Sequence, residues 1–178
     1  MKKIILICVA VLTSVTMSAK GSKTQTSVGI VGGLGIGAQA KFMFTEHFGL
    51  IEELGYFFNP DGGTAEKYGR SSYAGLMNNI VLLGQSQFKE TDGMALSWYA
   101  GSQFKLGWMP FNFQRNVHMG VFGIGVVGGV EAKMKKAPIA VSFDVRPGYA
   151  LMFADYKGAR LFDYSFNLGV RYCFKNKK

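Results

Sequence analysis

The chain holds two histidines, His47 and His118, and two cysteines, Cys8 and Cys173. Acyl hydrolysis by a Ser-His pair needs a nucleophile beside the imidazole and a carboxylate to orient it. His118 is followed by Met119-Gly120, so no serine stands at His-x-Ser spacing. Both histidines read as surface residues, His47 in a short turn and His118 near a longer loop. No Cys/His spacing fits a metal centre, so no metal or cofactor is expected. Gly32-Gly33-Leu34-Gly35-Ile36-Gly37 lacks the strand-then-helix setting and the Lys-Ser/Thr ending of a phosphate-binding loop. These glycines are better read as allowing tight strand curvature.

The charged residues carry a stronger signal. Asp144 and Arg146 are two residues apart, so in a strand they share a face. Lys41, Glu53, Lys105, Glu131, Lys133 and Arg171 fall on faces that can meet them in one interior. Such a set makes either an ion pathway or a charge-paired plug. An isolated buried charge is very costly, so buried charges are expected in pairs. The plug is the favoured reading, because a barrel of few strands has room inside only for side chains.

The elements that would position these residues follow from the pattern of the chain. Met1–Ala19 begins with Lys2 and Lys3, continues with an apolar run and ends in mostly small residues. This is the pattern of a secretory signal peptide, with cleavage expected after Ala19 and a mature domain over 20–178. Cleavage removes Cys8, which leaves Cys173 without an intramolecular partner. It also lowers the net charge from +9 to +7, since two lysines leave. Past this segment the sequence alternates with period two. Phe162, Tyr164, Phe166, Leu168, Val170, Tyr172 and Phe174 oppose Asp163, Ser165, Asn167, Gly169, Arg171 and Cys173. Successive strand side chains point to opposite faces, so this strand has an apolar wall and a polar one.

Eight strands are expected, over 26–33, 36–44, 48–58, 73–88, 94–108, 117–134, 138–153 and 162–174. Pro147 is expected to mark a bulge or bend in the seventh. The resulting fold class is all-β, an eight-stranded antiparallel up-and-down transmembrane barrel. Three features favour a membrane barrel over a soluble one with an apolar interior. The polar faces are built from Gly, Ala, Ser and Gln, which fit a narrow lumen. Several strands exceed the ~9–11 residues that cross a bilayer at a tilt. From the second connector on, short and long alternate, as in barrels with short periplasmic turns and longer outer loops, while the first outer connector, Gly33–Gly35, is too short for the trend.

The last strand carries Asn167-x-Gly169-x-x-Tyr172-x-Phe174. This resembles the C-terminal β-signal that the outer-membrane assembly machinery reads in bacterial outer-membrane proteins, although four residues follow Phe174 here. The segments Leu96–Gly101 and Pro138–Pro147, with Gly169–Tyr172, resemble small outer-membrane β-barrel proteins of the Bacteroidota, themselves loosely similar to OmpA/OmpX-type barrels. The resemblance covers roughly residues 94–174. It implies the barrel fold, an integral outer-membrane location and no established catalytic activity, and the expected role is structural, adhesive or in envelope integrity. Lys67, Arg70, Arg115, Lys157 and Arg160 fall in expected outer loops and are expected to meet lipopolysaccharide phosphates. Outer-membrane lipid and lipopolysaccharide are thus the expected partners. The basic residues form no stripe with interleaved aromatics, so nucleic acid is not. Two other readings stand beside this one, a lipid A or phospholipid-modifying outer-membrane enzyme and a secreted soluble barrel binding an apolar ligand.

Overall fold

The computed structural model describes residues 25–59, 73–111, 117–154 and 160–174. The strands are β1 (Gln25–Gly33), β2 (Gly35–Met43), β3 (Phe48–Asn59), β4 (Tyr73–Glu90), β5 (Met94–Phe111), β6 (Val117–Met134), β7 (Ile139–Ala154) and β8 (Arg160–Cys173). Each pairs antiparallel with the next and β8 pairs with β1, which closes an up-and-down barrel. The all-β, eight-stranded expectation holds. The largest departures are β5, which runs on to Phe111, and β8, which begins at Arg160. The signal segment lies outside the described residues.

The register fixes the barrel's proportions. One circuit along paired residues runs Ser27, Lys41, Ile51, Val81, Gln103, Gly125, Gly148, Asp163. Ser27 itself pairs with Cys173, so the circuit advances ten residues along β8 (173 − 163). Such a stagger over eight strands tilts them by roughly 40° and leaves an interior that side chains fill.

Pro147 does not shift the register. β7 and β8 keep one alignment from Ile139↔Tyr172 through Pro147↔Tyr164 to Leu151↔Arg160. Proline has no N–H to give a ladder, and the β6–β7 pairing steps over it, from Gly125↔Gly148 to Gly128↔Val145. The register shift lies instead in β4, between Gln87 and Lys89.

The two walls separate as the alternation predicts. Ile30, Ile36, Trp98, Phe104, Ile124, Phe143, Phe166 and Leu168 are exposed on the outside. Lys41, Glu53, Gln103, Asp144, Arg146, Asn167 and Arg171 are buried inside. The interior is not polar throughout. Met43, Ile51, Val81, Leu83, Tyr99 and Val127 form an apolar cluster among the inward residues. Inward glycines make room for the larger neighbours. A Cβ on Gly129 would lie 2.6 Å from the Tyr99 ring and 2.7 Å from Asp144 Cβ, so only glycine lets that ring lie across β6.

Candidate functional site

The charged residues in the lumen form two clusters joined by one amide. The first is centred on Arg146 of β7. Its guanidinium donates to Glu53 through Nη1 (2.6 Å) and Nη2 (2.7 Å). It also donates to Asp144 through Nε (2.7 Å) and Nη2 (2.9 Å). The planar fork suits such paired carboxylate contacts. The remaining acceptor sites are filled by neutral donors. Tyr99 Oη donates to Asp144 at 2.7 Å and Asn167 Nδ2 at 3.0 Å. Gln39 Nε2 donates to Glu53 at 2.6 Å and Asn79 Nδ2 at 3.3 Å.

The second cluster is centred on Glu131 of β6. Lys41 Nζ reaches its carboxylate at 2.8 Å, and Arg171 Nη2 donates to the same oxygen. Gln85 accepts from Lys41 and donates to Glu131 at 3.3 Å. Arg171 Nη1 also donates to Gln39 Oε1. Gln39 thus accepts from one cluster and donates to the other. Gly169 makes the space this needs, since a Cβ there would sit 2.7 Å from Gln39 Oε1 and 2.8 Å from Ser142 Oγ. The Lys41 ammonium also lies 5.3 Å from the Tyr99 ring centroid, within cation–π reach.

A separate pair, Lys105 with Asp163, links β5 to β8. Together the pairs use four cations (Lys41, Lys105, Arg146, Arg171) and four carboxylates (Glu53, Glu131, Asp144, Asp163), so their formal charge cancels. Lys133, the remaining expected lumen residue, lines a cavity of about 350 Å³ at the turn end of the lumen, with Ser27, Lys41, Gln85, Glu131 and Cys173. Outside the strands' apolar stretch, Lys135 and Gln87 at the β4–β5 end hold the Glu90 carboxyl below the usual carboxylate range by hydrogen bonding to it.

All eight expected lumen charges therefore project inward, and seven of them are ion-paired. Spacing puts Asp163 on the polar wall but does not identify it, or the neutral Gln39, Asn79, Gln85 and Tyr99, as partners of these charges. Their parity matched that of the named residues, which was the one signal available. Asn167 and Gly169 of the expected β-signal face the lumen, while Tyr172 and Phe174 face outward with ring centroids 5.3 Å apart, edge to face. His47 sits exposed in the β2–β3 turn, its Nδ1 3.3 Å from the Gln85 carbonyl oxygen. His118 occupies the register position opposite Pro110. Lys67, Arg70, Arg115 and Lys157 lie outside the described residues, and Arg160 is the first residue of β8.

The division of the walls breaks at Glu52. Glu52 falls on the outer face, flanked along its strand by Leu50 and Leu54, yet is only 4% exposed. The Asn78 amide approaches it at 3.4 Å.

No protein-family model matches the chain, and no curated protein matches it. Among solved structures, the crystal structure of Neisserial surface protein A (NspA) is similar at a TM-score of 0.47 and 12% identity. The match covers 85% of this chain and 94% of that one.

Proposed function

We propose that the chain is an integral outer-membrane β-barrel without catalytic activity. Its lumen is closed by paired charges, and its role is structural, adhesive or in envelope integrity. The observation that carries this reading is the inversion of the two walls. Large apolar side chains cover the outside of a closed sheet, and a charge-neutral hydrogen-bonded network fills much of the inside. A closed barrel satisfies its backbone internally, as hydrocarbon requires, and this one presents an apolar wall to that hydrocarbon. The signal pattern of residues 1–19 supports export. In this reading Asn167, Gly169, Tyr172 and Phe174 are the assembly signal. Lys67, Arg70, Arg115, Lys157 and Arg160 are lipopolysaccharide contacts.

Membrane fractionation followed by gel migration with and without boiling tests the location. Recovery in the outer membrane with heat-modifiable migration is the expected result. Recovery as soluble protein would invert the walls' assignment. Planar-bilayer recording tests the plug, with no steady conductance expected. Alanine at the five outer basic positions is expected to weaken lipopolysaccharide binding and raise detergent sensitivity. Unchanged values would remove that role.

A further inference from the structure

The barrel wall is not of even height. β1 and β2 have nine residues each, whereas β4, β5 and β6 have eighteen. At ~40° of tilt and ~3.3 Å per residue, nine residues rise roughly 22 Å, short of the ~25 Å apolar band of such barrels. The flanking strands pass the short hairpin on both sides. The last β1–β8 pair is Gly33↔Asn167, but β8 extends to Arg160. The last β2–β3 pair is Gly35↔Phe57, but β3 extends to Asn59. Residues 160–166 of β8 pair with β7 on one side. Among the described residues no strand covers their other edge. Over the described residues the wall is therefore notched above the Gly33-Leu34-Gly35 turn.

Below the notch, an apolar groove of about 490 Å³ runs down the outer wall. It is lined by Ile30, Gly32, Ile36, Phe166 and Leu168 and reaches the inward-facing Asn167. Gly32 leaves it open, since a Cβ there would meet nothing closer than the Gly35 carbonyl oxygen at 4.0 Å. Behind the notch, β8 presents Asp163, Ser165 and Asn167 on its lumen side. An apolar channel outside thus meets a polar surface inside, where the described wall is low.

We propose that the notch is a lateral opening that seats a lipid of the surrounding bilayer. Its acyl chain fills the groove over Gly32, and its polar head crosses the Leu34 turn to Ser165 and Asn167. This inference rests on the membrane reading above. The edge of β8 over residues 160–166, which no described strand covers, argues for this occupant. Backbone groups facing hydrocarbon without partners are costly, and a lipid headgroup offers them polar contacts while its chain takes the place of the missing Gly32 side chain. Neither water nor a free anion would fill both halves of the site.

The test uses the full mature chain in phosphatidylcholine vesicles. One preparation carries a trace of phosphatidylcholine with a photoactivatable group at the acyl end, and another a nitroxide on the choline head. Cross-links are expected at Ile30, Ile36 and Leu168, at least ten-fold above those at Ile124 and Val126 elsewhere on the wall. Gly32→Phe is expected to abolish this enrichment, and Gly32→Ala, which adds one carbon into open space, to reduce it in part. The nitroxide is expected to broaden the Ser165 and Asn167 amide signals while sparing Gln103 in the lumen. Labelling spread evenly around the wall and indifferent to Gly32→Phe would overturn the proposal, as would unbroadened Ser165 and Asn167. A chain that neither enters vesicles nor shows heat-modifiable migration would overturn the membrane reading itself, and the notch proposal with it.

Discussion

Glu52 and Glu53 are neighbours in sequence and opposites in setting. Glu53 faces the lumen, fully buried, and its carboxylate takes two bonds from Arg146 and one each from Gln39 and Asn79. Glu52 faces the outer wall among leucines, with one long contact from Asn78. A carboxylate in low dielectric is tolerable when its lone pairs are filled and its charge is matched, and costly otherwise. The inner wall meets both conditions with donors from several strands. The outer wall offers Glu52 neither a cation nor a second strong donor among the described residues. The contrast teaches that the barrel's polar residues stand where partners converge, and that a single step in strand parity decides whether they do.

Perturbing the inner wall should give the largest effects. Arg146→Ala leaves Glu53 and Asp144 without their shared cation, and should cost about 3–5 kcal/mol in urea unfolding from micelles. A loss below about 1 kcal/mol would mean that water already screens the cluster. Gly129→Val forces Tyr99 or Asp144 aside and should cost about 1–3 kcal/mol, with the Tyr99–Asp144 bond weakened in the same variant. On the outer wall the sign reverses. Glu52→Leu should stabilise the vesicle-inserted barrel by about 1–2 kcal/mol, because it removes a buried carboxylate that no described cation pairs. Destabilisation would show that Glu52 holds a partner there. Smallest is Tyr99→Phe, which removes one donor from Asp144 and keeps the ring in the apolar cluster. It should cost about 1 kcal/mol, and combined with Arg146→Ala it should be clearly non-additive, as contacts within one network are.

Much of this was legible from residue spacing. The strict alternation from Phe162 to Phe174 and from Ile139 to Val145 fixes which side of β7 and β8 each residue takes, and so places Asp144, Arg146 and Arg171 together inside. The eight strands and their short turns followed from the same rhythm. Partner identity did not. Gln39 and Arg171 are 132 residues apart, and their meeting depends on the ten-residue stagger, which emerges only when all eight pairings are known. The apolar layer inside the lumen escaped for a related reason. Val81 and Val127 lie in stretches that are apolar on both faces, and Ile51 precedes a glutamate on each face, so period two fades around all three. Pro147 interrupts the ladder on its β6 side, as a residue without an N–H should, but the register is the same on both sides of the gap, so no bulge follows.

The most direct measurement uses the chain's own two tryptophans. Trp98 and Trp108 are the only ones in the sequence. Both project from the outer wall of β5, 49% and 42% exposed. Ten residues of tilted strand separate them by roughly 25 Å in depth, enough to put one near each face of the bilayer. In vesicles, phospholipids brominated along the acyl chain should quench both, and a soluble quencher should reach neither well. Fluorescence untouched by brominated lipid and fully accessible to the soluble quencher would contradict the account, because the apolar wall would then face water.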